Sequence, residues 1–237
     1  MHIFGVHLDR KATLPNVERI IGQIKEMGRE AIFFNVNAAD AEKRKEVLDQ
    51  IQEKLKESGG SATIKVLLHS LAFGTLKAFI APSPQDTVTQ AQMDMTLDVM
   101  AHSLVYWVQD LIARKLMTQG GRIFAMTSAG GHRVWRTYGP VSAAKAALES
   151  HIRQLALELA PMGITANAIQ AGVTDTPALR KIPGNEEMIK IAQERNPGGR
   201  LTTPADVAAA IAVLSQPGTY WMTGNVIRVD GGEDIVG

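Results

Sequence analysis

Two side chains in this 237-residue sequence have the types and the spacing of an acid–base pair: Tyr138 and Lys145. They bracket the run Tyr138-Gly139-Pro140-Val141-Ser142-Ala143-Ala144-Lys145, which follows an apolar stretch of strand length ending in Thr127 and Ser128. Proline is tolerated in the first turn of a helix, so the run reads as helical from Gly139. On a helix seven residues advance about 700°, which returns Lys145 to within roughly 20° of Tyr138. Phenol and ammonium therefore point the same way, two turns apart. Val141, Leu148 and Leu155 form a buried stripe about 60° round the helix, which places the pair beside the core on its cleft side. A nearby ammonium lowers a phenol's pKa. The spacing thus predicts an acidified Tyr138, serving as a proton donor or as a stabiliser of developing oxyanion charge. The plain alternative is a boundary tyrosine and a surface lysine.

The elements that must position this pair alternate between strand-length apolar runs and longer helical patterns, the mark of βαβ units and a parallel sheet. Strands are expected at residues 3–8, 31–36, 64–69, 122–127, 164–169 and 226–229. Helices are expected at 14–27, 41–57, 90–117 and 139–161, with two or three more between 176 and 214. Val47, Leu48, Ile51 and Leu55 form the inner stripe of the second helix, and its lysines and glutamates form a solvated face. There is no internal repeat and no long linker, and the expectation is one domain over residues 1–237.

Composition narrows the function. Hydrophobic residues make up 45% and charged residues 21%, with a net charge of +1, so no basic face for nucleic acid is implied. The absence of cysteine excludes disulfides, thiolate metal sites and cysteine nucleophiles, and no metal site is expected. No apolar run reaches the roughly 18 residues of a membrane span, and the first residues form no signal peptide. A cytoplasmic protein with no membrane or nucleic-acid partner is expected.

Tyr, six residues, then Lys, on the helix after a strand ending in Ser or Thr, resembles the enoyl-acyl-carrier-protein reductases of the short-chain dehydrogenase/reductase superfamily. Ordinary short-chain dehydrogenases place three residues between the two, and no lysine stands at that shorter spacing here. Four further segments are similar to the same family in order. Leu68-His69-Ser70-Leu71-Ala72-Phe73 resembles the stretch that lines the cofactor, and the run 167–176 resembles the loop around the nicotinamide. Asn196-Pro197-Gly198-Gly199-Arg200 with the following helix, and Val229-Asp230-Gly231-Gly232, resemble the closing segments.

The resemblance implies a Rossmann-type, doubly wound parallel α/β sheet and reduction of the 2,3 double bond of an enoyl thioester, on acyl carrier protein, by NADH or NADPH. It implies that Tyr138 bonds the thioester oxygen and that Lys145 holds the nicotinamide ribose. Asn35 and Val36 fall where the family flanks adenine, with Asn in place of the usual Asp. Ser70 and Ala72 fall beside the cofactor ribose with Leu71 in the same cofactor-lining stretch, Gly172 and Val173 in the loop around the nicotinamide, and Thr176 near the nicotinamide amide or the pyrophosphate. Ser128 stands where the family has a second aromatic or catalytic hydroxyl, although a serine at a strand end also caps loops. His69 and His132 read as packing or loop residues, and Gly130 and Gly131 as turn geometry. Asp9 at a strand end suits ribose hydroxyls and NAD. Arg10 and Lys11 suit a 2′-phosphate and NADP, and the run 178–183 is similar to the NADPH-using branch.

A dimer or tetramer is implied too, with Tyr106, Trp107, Leu111, Leu155 and Leu159 available to an interface or to the core. A carbonyl or alcohol oxidoreductase on the same fold, and a non-catalytic relative acting as an oligomeric partner, are the rival functions. One departure stands out: the family's first strand and Gly-rich turn have no counterpart before Asp9. The expectation is that an upstream segment supplies them, and that the chain from Met1 alone is marginally stable and binds NAD(P)H poorly.

Overall fold

The computed structural model describes residues 1–57, 59 and 62–236. The single domain expected from the sequence is built as two compact units, 1–63 and 64–237. The α/β class and the parallel pairing are as expected.

In the first unit, β1 (Ile3–His7) pairs in parallel with β2 (Ala31–Asn35), from Ile3 against Ala31 to His7 against Asn35. Helix α1 (Leu14–Glu26) connects them and α2 (Ala41–Glu57) follows. Val47, Leu48 and Ile51 of α2 are buried, as their helical spacing requires, while Leu55 is only half-buried.

The second unit is built on a four-stranded parallel sheet in the order β3 (Val66–His69), β4 (Arg122–Ser128), β5 (Thr165–Ala171), β6 (Val226–Val229). Strands β4 and β5 are buried almost throughout, as expected of parallel strands covered on both faces. Their register runs from Arg122 against Thr165 to Ser128 against Ala171. Helix α5 (Gly139–Leu159) buries Val141, Ala144, Leu148, Ile152 and Leu155. It ends through a 3₁₀ turn at Ala160–Met162 and a left-handed Gly163, φ 68°, a conformation glycine adopts without a Cβ penalty. Helices α6 (Asn185–Arg195) and α7 (Pro204–Leu214) precede β6.

The long helix expected at 90–117 is interrupted and shorter. It consists of α3 (Gln90–Leu97), a π-helical turn at Asp98–His102, and α4 (Ser103–Ala113). Lys115 then adopts φ 56°, and Leu116 and Met117 turn into the core. Burial of those two apolar side chains outweighs continued helix. Trp107, Leu111, Leu155 and Leu159 are buried inside this unit, and Tyr106 alone of the five interface candidates is exposed. Among the described residues no helix is long and apolar enough to cross a membrane.

Candidate active site

In a parallel α/β sheet the loops leaving the carboxyl ends of the strands splay apart and leave a crevice. Here a cavity of about 510 Å³ opens there, lined by residues that follow β3, end β4 and end β5. All the site residues expected in this unit line it: Ser70, Leu71, Ala72, Ser128, Tyr138, Lys145, Gly172, Val173 and Thr176. They are up to 106 residues apart in sequence (176 − 70).

Tyr138 is the N-cap of α5, and its hydroxyl is hydrogen-bonded to Ser128. The Ser128 oxygen also accepts the N–H of Gly130 at 3.1 Å, so its own hydrogen is free for the phenol oxygen. Ser128 thus caps the loop and touches the phenol at once. A Cβ at Gly130 would lie 2.4 Å from Tyr138 Cε1. Gly130 lies in the 3₁₀ turn Ala129–Gly131, as expected of it, and its lack of a side chain also permits this close approach to the ring. Thr137, just before Tyr138, has φ 62°. A left-handed conformation costs an L-residue roughly 1–2 kcal/mol, and a β-branched one adopts it rarely.

The acidified phenol expected from the sequence is not what the structure holds. Burial pushes the Tyr138 pKa up, and the hydrogen bond from Ser128 only partly opposes it. Lys145 exerts no resolved pull on it, because the ammonium is directed elsewhere: Nζ donates to the Met126 carbonyl at 2.7 Å. Tyr138 is therefore held firmly in its protonated, donating form. Lys145 is 6% exposed and lowered to about 8 by burial, with the charge of Glu149 acting the other way. Glu149 is itself fixed by the Thr127 hydroxyl, 2.6 Å away.

His69 is a packing residue, as expected. Its Nε2 lies 2.9 Å from Ser103 Oγ, and Ser103 donates to the Val99 carbonyl, so Nε2 carries the hydrogen. Burial, then the charge of Lys145, lowers its pKa to about 3.

Part of the cavity wall is apolar. Met188, Ile191 and Ala192 of α6 line it with Leu179, Ile182 and Trp135. The sequence reading missed this wall, although the spacing of 188, 191, 192 and 195 marks one helix face. It also missed Glu233 and Asp234, for which no local signal exists. Glu233 accepts the N–H of Val173 at 3.0 Å. Gly172 packs against the same C-terminal turn: a Cβ there would sit 2.4 Å from Thr202 Oγ1 and 3.1 Å from the Asp230 Cα. Thr176 Oγ1 accepts the N–H of Leu179 and so starts the next turn.

Of the remaining expected residues, Asn35 ends β2, Val36 follows it, and Asp9 and Arg10 follow β1. The Asn35 amide closes a reciprocal pair with the Asp9 backbone: Oδ1 accepts its N–H at 2.9 Å and Nδ2 donates to its carbonyl at 3.0 Å. Hydrogen bonds from Thr13, then His7, lower the Asp9 carboxyl.

Residues 3–233 match the family model described as enoyl-(acyl carrier protein) reductase. The chain belongs to this family. A FabI enoyl-[acyl-carrier-protein] reductase [NADH] from Nostoc sp. is 30% identical over 220 residues, 93% of this chain and 81% of that protein. The 1-cyclohexenylcarbonyl-CoA reductase of Streptomyces collinus is 40% identical over 126 residues, 52% of this chain and 45% of its own length. The crystal structure of the Bacillus cereus enoyl-acyl carrier protein reductase with NADP+ and indole naphthyridinone superposes with a TM-score of 0.84. It shares 26% identity, over 100% of this chain and 87% of that one.

The donor set of the reductase cavity fits a nicotinamide nucleoside. An ammonium has three N–H donors. That of Lys145 spends one on Met126, and Lys145 lines the same cavity as Ser70 and Thr176.

Proposed function

We propose that this protein reduces the 2,3 double bond of an enoyl thioester, with NADH or NADPH as the electron donor. The observation that carries the reading is that Tyr138 and Lys145, with six residues between them, line one apolar-walled cavity with Ser128 on the phenol. When bound, the reduced nicotinamide supplies a hydride to the β-carbon. Tyr138, kept protonated by its burial, donates to the thioester oxygen and stabilises the enolate that forms there. Ser128 supports the phenol oxygen as its charge changes. Lys145 offers its two remaining N–H donors to ribose hydroxyls and keeps the local potential positive. The α6 wall excludes water and takes the acyl chain.

Acyl carrier protein is the thioester carrier favoured by the names of the FabI relatives. Coenzyme A is the alternative favoured by the name of the Streptomyces collinus relative. Asp9 supports NADH and Arg10 with Lys11 supports NADPH, and the run 178–183 tips the choice to NADPH. The family resemblance supports a cytoplasmic homo-oligomer.

Steady-state NAD(P)H oxidation tests the reading, with crotonyl and longer 2-enoyl thioesters set against 3-ketoacyl thioesters, each on acyl carrier protein and on coenzyme A. Turnover of the enoyl substrates and poor use of the ketones is expected. A large preference for the ketone would favour a carbonyl reductase and reject the enoyl assignment.

A further inference from the structure

The loop between β4 and α5, residues 129–137, is bracketed by Ser128 and Tyr138, whose hydroxyls meet. Apolar burial does little to hold it, since Val134 is 95% exposed and Arg136 is exposed as well. Its last residue, Thr137, keeps a left-handed φ of 62° that a β-branched side chain resists. Such a loop depends on polar fastening.

One fastening is Trp135, whose Nε1 donates to the Pro183 carbonyl at 3.1 Å. The other is Asp234, with a side chain only 3% exposed. Its Oδ2 lies 3.0 Å from His132 Nε2 and accepts Gln170 Nε2 at 3.0 Å. Arg228 Nε stands 3.2 Å from the same oxygen. Arg133 Nε is 2.6 Å from Oδ1, close in charge but not aligned as a hydrogen bond, and Arg133 Nη2 donates to the Asp234 carbonyl. One buried carboxylate thereby ties the middle of the loop to β5 and β6. Burial works to raise its pKa. The hydrogen bond from Gln170 and the charges of His132 and Arg133 outweigh that and lower it, so the carboxylate persists.

We propose that Asp234 is a positioning residue for Tyr138, holding the 129–137 loop so that the Ser128–Tyr138 contact survives the strain at Thr137. The inference rests on the enoyl reduction proposed above. The carboxylate sits 96 residues from the phenol in sequence (234 − 138) and acts on it through the loop.

The test is kinetic, with Asp234→Asn, which keeps the shape and removes the charge. Arg133→Gln, made from the more exposed loop side, accompanies it in case the first variant folds poorly. Each should lower kcat by about 10-fold or more, since small misplacements of a reacting group carry penalties of that order. NADPH affinity, read by fluorescence titration, should shift by less than about 2-fold, because the Asp234 carboxylate bonds His132 and Gln170 and makes no hydrogen bond to Lys145. In a Tyr138→Phe background Asp234→Asn should add no further loss, because the two act as one unit. Thr137→Gly should recover part of the lost rate. Trypsin should cut after Arg136 sooner in both variants than in the wild type. An unchanged kcat, or an equal further loss in the Tyr138→Phe background, overturns the proposal. A wild type that oxidises NADPH with no enoyl thioester sinks the functional reading instead, and the trypsin comparison then still decides whether Asp234 holds the loop.

Discussion

Lys145 Nζ and the carbonyl oxygen of Met126 are joined by a 2.7 Å hydrogen bond that fastens the ammonium to strand β4 instead of to Tyr138. Burial lowers this ammonium to about 8, against the raising effect of Glu149 one helical turn away. The donating form is the protonated one, so it is fully present below about 8 and lost as pH rises through that value. The alkaline limb of the kcat/KM profile should fall near there. Glu149→Gln removes the raising charge, so it should move that limb to lower pH. A wild-type limb at the ordinary lysine value, about 10, would contradict the assignment.

Tyr138→Phe removes the donor to the oxyanion and should lower kcat by about 10²-fold or more, with little change in NAD(P)H affinity. Ser128→Ala leaves the donor but strips its support, so a smaller loss, on the order of 10-fold, is expected. Lys145→Ala should weaken NAD(P)H binding as well as turnover. Fluorescence titration and single-turnover rates on the three variants separate these effects. Unimpaired turnover in Tyr138→Phe would remove the phenol from the mechanism.

His69 gives the fold an acid-labile element. Its pKa in the folded protein, about 3, lies below the ordinary 6.5. Between those values the unfolded chain takes up a proton that the folded chain refuses. Stability is therefore complete above 6.5 and declines as pH falls toward 3, by about 1.4 kcal/mol for each pH unit in that window. His69→Gln can still donate to Ser103 and does not titrate. Urea unfolding at pH 7 and pH 4.5 should show a smaller drop for the variant, and equal drops would argue against a neutral buried imidazole.

Thr137→Gly relieves the left-handed backbone ahead of Tyr138. The relief of roughly 1–2 kcal/mol exceeds the roughly 0.5–1 kcal/mol of extra chain entropy that glycine loses on folding. A net gain in stability of up to about 1 kcal/mol is expected, read as a higher urea midpoint at constant slope. A destabilised variant would mean that Thr137 is held by contacts that repay its strain.

The sequence by itself determined the alternation of strands and helices, the buried face of α5 and the family, because each rests on local periodicity or on an ordered set of short motifs. The seven-residue advance from Tyr138 to Lys145 puts both on one side of a helix by helical geometry alone. Tertiary structure alone decided what that side faces. The phenol was expected to be acidified by its lysine, but burial raises it and Met126 takes the ammonium. The 90–117 helix was expected unbroken, but burial of Leu116 and Met117 turned the chain at Lys115. Asp234 was invisible in the sequence for the same reason. Its partners His132, Arg133 and Gln170 lie 64 to 102 residues away, and only packing brings polar groups so far apart in the chain to within 3.0 Å of one carboxylate. Periodicity reports which way a side chain points along its own element. What it meets there depends on the desolvation and the charges contributed by every other element.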